Sequence, residues 1–438
     1  MRAAIQRLIT ARAILVAGWL WFLVYAFPGY MSYDSEWQLV QARHIEGYNE
    51  WHPPMMAAMW RVLDHVISGP FLMLVLQSGL FAGGLYLVMR RLISDRMAAI
   101  AAAAILLIPQ NIIVMAVIWK DSQMAGFLIA GIAALLSQKR GWRITGYVLL
   151  VFATAVRYNA AAATFPIVLG LFATRIGRPR WRHYALATSA WLAITASAFV
   201  ANDLLVDHKL YPWETASAPV DIAGVLRYSK KLDNDTLLAE TPGVPWAHTD
   251  KIQIRARMQS RPESNFLTLT EGPGALFVYP TTDDQRAALK TAWIHLVFAH
   301  PWAFVRHRWG LFRALLTQYA GVWSSFYDGD WASPELDIKG SHSAIQEAWI
   351  HAMEKVADTP LFSGWVFLIL AIVLLCFRPH DRVTTIIVVS GALYELALFW
   401  IAPALDYRYS HWMVVTAIIG ATRVFAQRYQ QGSRTRPT

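Results

Sequence analysis

Cysteine, charge and alternating strands are what this sequence has least of. It carries one cysteine, Cys376, so no disulfide can form within the chain, and the redox compartment is not legible from it. Only 16% of its 438 residues are charged, against about a quarter in an ordinary soluble domain, and 56% are hydrophobic. The ten-residue alternation of a transmembrane barrel is missing, and so is the internal repeat of many transporter folds. No small-residue cleavage site follows the first apolar run, which ends in Phe27-Pro28-Gly29-Tyr30. The arginines before it (Arg2, Arg7, Arg12) therefore introduce a retained first span rather than a signal peptide.

What the sequence has instead is apolar runs. They fall near 12–28, 70–89, 97–118, 122–137, 144–156, 160–174, 184–202, 361–377, 384–402 and 409–425. Runs of about 17–25 residues match a ~30 Å hydrocarbon core as helices, and in lipid a backbone must satisfy its own hydrogen bonds. The expected fold is an all-α polytopic membrane protein of about ten transmembrane helices.

The net charge of +10 raises the question of nucleic acid, but its position argues for no nucleic-acid partner. Arg90, Arg91 and Arg96, then Lys139, Arg140 and Arg143, then Arg175, Arg178, Arg180 and Arg182 occupy alternate loops. Arg378 and Arg382 follow, and Arg423, Arg428, Arg434 and Arg436 close the chain. With ten spans, all share a side with the N-terminus, and the positive-inside rule makes that side the cytoplasm.

Two segments on the other side are too long for simple turns. Residues 30–69 are polar and aromatic, with Trp37, Trp51 and Trp60 suited to an interfacial helix. Residues 203–360 have globular composition and read as a small external domain. Near its end, 302–318 combines Arg306, Arg308 and Arg313 with Phe304, Trp309 and Phe312, the pattern of a helix lying on a membrane. Were that helix to cross, the last three spans would invert. Three divisions follow: 1–202, 203–360 and 361–438.

The polar residues of the outer side carry the chemistry. Asp34, just past the first span, is placed to accept a proton or bind a divalent ion. It is equally a solvated acid near a helix start, where Ser32 and Asp34 both suit a cap. His52, before Pro53-Pro54, suits a phosphate or sugar hydroxyl, or a helix entry. Lys120-Asp121 is costly beside hydrocarbon unless paired or functional; a mutual salt bridge at a helix start is the plain alternative. Arg157-Tyr158-Asn159 interrupts an apolar stretch, and Arg408-Tyr409 does so before the last run. Each arginine is a natural phosphate ligand, or a snorkelling neighbour of a belt tyrosine. Together, an acid amid outward cations at headgroup depth suits a lipid-linked anionic substrate.

This order resembles the GT-C superfamily of integral membrane glycosyltransferases: a first span, an external Tyr-Asp-Ser-Glu segment, His-Pro-Pro, a second acid after the third span, and a late Arg-Tyr. It is nearest the bacterial branch related to protein O-mannosyltransferases and the lipid A aminoarabinose transferase. The likeness covers about residues 10–175, thins over 203–360 and returns at 403–412. It implies sugar transfer from a polyprenyl-phosphate donor to a cell-envelope acceptor, in a bacterial inner membrane with both termini cytoplasmic. Asp34 would match the presumed base or acceptor-orienting group and Asp121 the second-loop acid. From their charge and side, rather than from the resemblance, His52, Lys120, Arg157, Tyr158, Arg408 and Tyr409 are expected to bind substrate, with Lys120, Arg157 and Arg408 holding the phosphate. The family often has two adjacent acids in the first loop. Here Glu36 is displaced by one residue, which leaves a divalent metal ion open.

Two other classes stay open. A transporter or flippase of a lipid-linked substrate would place charge inside the spans, where Glu395 is the main instance. A polysaccharide polymerase or ligase would transfer whole lipid-linked glycans. In the external domain Asp221 and Arg227 are candidates for acceptor binding.

Overall fold

The computed structural model describes residues 10–176, 180–229, 232–259, 267–272, 274–319, 321–326, 334–336, 338, 340–376, 381–402 and 404–434. Arg2, Arg7, Arg178, Arg378 and Arg436 lie outside the described residues. Among the described residues there are helices and isolated bridges but no strands. Every apolar run named above forms helix. Among the described residues three helices are long and apolar enough to cross a membrane, where ten spans were expected: Phe71–Met89, Trp181–Asp203 and Arg382–Ile401. A fourth candidate is bent. The run 97–118, expected as one span, is two helices, Asp95–Leu107 and Pro109–Met115, meeting at 68°.

Pro109 causes the break. It has no N–H to continue the helix, and it pushes the residue before it out of helical geometry; Ile108 has φ −64 and ψ 145. Ile105 O, freed there, and carbonyls at the far end of the second helix accept from side chains. Asn111 Nδ2 donates to Ile105 O at 2.7 Å. Gln77 Nε2 donates to Met115 O and Val117 O, at 2.7 and 2.9 Å. Ser122 Oγ donates to Val114 O at 2.7 Å. Asn111 thus satisfies the break itself, and Gln77 and Ser122 hold the end of the short helix that follows it.

The chain divides into two compact units. The first comprises Met1–His208, Tyr319–Ala397 and Tyr407–Thr438. Within it, Lys120–Leu135 packs against both Phe71–Met89 and Arg140–Val156. Close backbone approach makes this possible: a Cβ at Gly126 would meet Gln77 O at 2.9 Å, and one at Gly146 would meet Gly131 O at 3.0 Å. Trp181–Asp203 is the opposite case, leaving Leu186, Leu192, Phe199 and Val200 exposed. Residues 319–360, grouped with the external domain on composition, cluster with the first unit instead. Gln346 explains this, since its Nε2 caps Tyr25 O and Phe27 O at 3.0 and 2.7 Å.

The second unit comprises Lys209–Gln318 and Leu398–Asp406. Its core gathers Ile222, Leu226, Leu237, Phe277, Leu289 and Leu296. Pro301–Thr317 is amphipathic as expected, with Trp302, Arg306, Trp309 and Arg313 exposed. Arg308 is the exception. It is buried, donating to Asp221 Oδ2 at 2.7 Å and to Ala402 O at 3.1 Å. Trp293 Nε1 also donates to Asp221 Oδ2, at 2.9 Å. Asp221 is therefore spent on a buried network within its own unit, while the Arg227 guanidinium lies over the Tyr228 ring.

Candidate functional site

The site begins as two segments zipped side by side. Tyr30 and Val117 form a parallel bridge, with Tyr30 N–H donating to Ala116 O at 3.0 Å and Ile118 N–H to Tyr30 O at 2.9 Å. Side chains extend it: Ser35 Oγ donates to Ile118 O at 2.8 Å, and Trp119 Nε1 to Ser32 Oγ at 2.7 Å. Each segment then starts a helix, Tyr33–Ala42 and Lys120–Leu135, with Asp34 and Asp121 in the first turns. Helix starts favour carboxylates there. Ser32 takes the cap, sharing a capping box with Ser35, so Asp34 is left to make contacts outside its own turn.

Asp34 Oδ2 accepts from Arg408 Nη2 at 2.6 Å. Asp34 Oδ1 lies 3.5 Å from His52 Nε2. Lys120 Nζ donates to His52 Nδ1 at 2.7 Å, which puts the imidazole proton on Nε2, facing Asp34. Burial alone would raise the Asp34 pKa. Arg408, then His52 and Lys120, outweigh it and hold the carboxyl well below its usual range. Burial and the Lys120 ammonium push His52 down, against the pull of Asp34, so its ring is neutral. With 26% of its side chain exposed, Asp34 is the carboxylate of the cluster open to solvent.

Asp121 is wholly buried. Both its oxygens lie near Arg157 Nη1, at 2.9 and 3.0 Å. Arg157 ends the Arg140–Val156 helix in extended geometry, and its Nε donates to the Tyr394 hydroxyl at 2.9 Å. Asn159 Nδ2 reaches the same hydroxyl at 3.2 Å. Arg408 stands in the short turn Tyr407–Ser410, which Ser410 anchors by donating to Glu395 Oε1 at 2.9 Å. The Arg157 and Arg408 guanidinium groups lie over the Tyr409 ring, 4.6 and 5.5 Å from its centroid, and Arg408 also lies 4.6 Å over Trp119.

The structure thus brings together Asp34, His52, Lys120, Asp121, Arg157, Arg408 and Tyr409, from five separated stretches of chain. Three cations face two carboxylates, so the cluster carries a positive excess suited to an anion. Tyr158 stands apart, stacked on Phe199 with ring centroids 4.4 Å apart. The Lys120-Asp121 neighbours do not pair with each other as the plain alternative has it: Lys120 turns to His52 and Asp121 to Arg157. Trp119, Tyr394 and Asn159 are the members that sequence reasoning left unassigned. Tyr394 had one signal, its place beside Glu395 in an apolar run. Glu36 is buried on another side of its helix from Asp34. Among the described residues no group of three or more His, Cys, Asp or Glu side chains could hold a metal. Compared with protein-family models, with curated proteins and with solved structures, the chain matches none.

Proposed function

We propose that this chain is a GT-C-like, ten-span membrane glycosyltransferase that moves a sugar from a polyprenyl-phosphate donor to a cell-envelope acceptor at the outer membrane face. The observation that carries the reading is the convergence of Asp34, Arg408, His52–Lys120 and Arg157–Asp121 from remote parts of the sequence. The exposed apolar face of Trp181–Asp203 supports residence in lipid. The exposed Trp302 and Trp309 beside Arg306 and Arg313 support an interfacial helix. The arginine-rich loops support an orientation with both termini cytoplasmic, in a bacterial inner membrane.

The chemistry is a direct displacement. The acceptor hydroxyl oxygen attacks the anomeric carbon, the carbon–oxygen bond to phosphate breaks, and its electron pair leaves on the phosphate. Arg408 and Arg157 stabilise that charge in a site with little water. The hydroxyl proton passes to Asp34. A carboxylate held far below its usual range is a weak base. When the donor phosphate draws the Arg408 guanidinium from Asp34, the basicity of Asp34 rises where it is needed. Asp121 touches Arg157 rather than substrate and acts as a positioning residue. Lys120 likewise positions His52.

The test uses purified protein in lipid nanodiscs with a panel of polyprenyl-phosphate hexoses and pentoses. Asp34→Asn should lower transfer by at least about 10²-fold, the scale of a lost general base, with folding and donor binding retained. Normal transfer by that variant removes the proposed base.

One observation favours a second reading, a flippase or transporter. Glu395 is fully buried in an apolar helix, and its Oε2 makes no hydrogen bond among the described residues. Flipping of a lipid-linked sugar by vesicle-reconstituted protein, with no product formed, would select it.

A further inference from the structure

Glycine weakens a helix, and in an apolar bundle close approach of backbones offsets that cost. Gly84 follows the rule, since a Cβ there would sit 2.7 Å from Ala130 N. Gly79 and Gly83, one turn apart on the same Phe71–Met89 helix, do not: a Cβ on either would meet no described atom within 4 Å. Both line a cavity of about 960 Å³, with Leu87, Ala134, Trp142 and Arg91 around it. Leu87 and Trp142 are 43% and 56% exposed, so the cavity opens outward from the helices. Its volume is that of a ligand site, and its floor is apolar.

The Arg91 end is polar. Arg91 also lines a second cavity, of about 660 Å³, together with Arg143, Arg423 and Asp381. Asp381 turns to its own helix start and to Arg423. It accepts from Thr384 N–H and Oγ1, both at 2.8 Å, and lies 3.3 Å from Arg423 Nε. Arg423 Nη1 donates to Leu92 O, which holds that arginine in the wall. Three guanidinium groups thus face one carboxylate, and the flanking stretches 134–147, 170–180 and 374–380 add no acid. Asp95, the next acid along the chain from Arg91, lies 3.3 Å from Arg90 Nε. The cavity keeps a positive excess suited to an anion. A soluble anion would leave the apolar cavity beside it unused. Under the proposed orientation this end faces the cytoplasm, where basic pockets between helices take anionic lipid head groups.

We infer that this end of the bundle holds one anionic phospholipid of the cytoplasmic leaflet, with an acyl chain over Gly79 and Gly83 and the head-group phosphate at Arg91 and Arg143. This rests on the membrane reading proposed above and not on sugar transfer.

The test strips the purified full chain of lipid in detergent. It is then titrated with phosphatidylglycerol or with phosphatidylcholine of the same acyl chains, and bound lipid is counted by native mass spectrometry. Wild type should take one phosphatidylglycerol about thirtyfold more tightly than phosphatidylcholine, the scale of two arginines at an anionic lipid. Arg91→Gln and Arg143→Gln should each lower that preference about fivefold, and the two together should abolish it. Gly83→Leu fills the chain cavity. It should weaken both lipids at least about tenfold. Its lipid-free melting temperature should hold or rise, because leucine meets open space there and favours helix. Three results would overturn the site: equal affinity of wild type for the two lipids, arginine variants that keep the preference, or a Gly83→Leu chain that melts far lower without lipid. Displacement of phosphatidylglycerol by an equal concentration of polyprenyl phosphate would overturn it too, by giving the cavity to a carrier lipid. A chain that stays soluble and monodisperse without detergent defeats the membrane reading itself.

Discussion

Removing Arg157 should leave the most damaging charge in the molecule. Asp121 is 0% exposed and Arg157 8%, and both carboxylate oxygens rely on one guanidinium nitrogen. In Arg157→Met the carboxylate keeps its burial and loses its counter-charge. Breaking a buried pair from one side typically costs about 3–5 kcal/mol, whereas replacing both partners by apolar groups is often neutral or stabilising. The Tyr394 hydroxyl also loses the Arg157 Nε donor, adding about 1 kcal/mol. The single variant should therefore fall by about 4–6 kcal/mol. Asp121→Leu/Arg157→Met should recover to within about 1–2 kcal/mol of wild type. Equilibrium unfolding in mixed micelles, followed by the fluorescence of the 20 tryptophans, measures both. A single variant as stable as wild type, or a double variant no better than the single, would refute the claim that this pair is buried and mutually dependent. The double variant should still lose phosphate-lipid binding, since Arg157 is absent from it.

Other expectations follow from the same geometry. The depressed Asp34 pKa contributes stability above the ordinary carboxylate value of about 3.9, and this is lost as pH falls through the lower folded-state value. Arg408→Met removes the largest lowering influence, so stability at neutral pH should fall and the acid-side loss of thermal stability should be shallower than in wild type; an acid limb as steep as that of wild type would count against the Asp34–Arg408 pair. Lys120→Met removes a cation that holds His52 down, so its imidazole should protonate at higher pH, read by histidine-labelled NMR. An unchanged titration would mean that Lys120 does not face the ring. In the second unit, a Cβ at Gly224 would sit 2.1 Å from His307 Nδ1. Gly224→Ala should destabilise by about 1–3 kcal/mol as overpacking, measured by thermal unfolding. His307→Ala in the same chain should relieve part of that loss.

The helical character of this protein was legible in its sequence. Apolar runs without alternation admit only helices, and the runs are helical in the structure, 97–118 as two helices broken at Pro109, because period and length are local properties. The amphipathic pattern of 302–318 was readable for the same reason, and so were the polar residues of the cluster, since charge is conspicuous in a chain this apolar. Local pattern could not say which partner each charge would choose. Lys120 and Asp121 are neighbours in sequence yet turn to His52 and Arg157, because successive helical residues point about 100° apart. Arg308 sits in a pattern that reads as surface, but Asp221 draws it into a core. The Tyr30–Val117 bridge that sets Asp34 beside the Asp121 segment joins stretches 87 residues apart and leaves no periodic trace. Composition thus determined the helices and marked the residues with something to do. Long-range backbone pairing and buried charge decided which of them meet, since those interactions depend on distance in space and not on spacing along the chain.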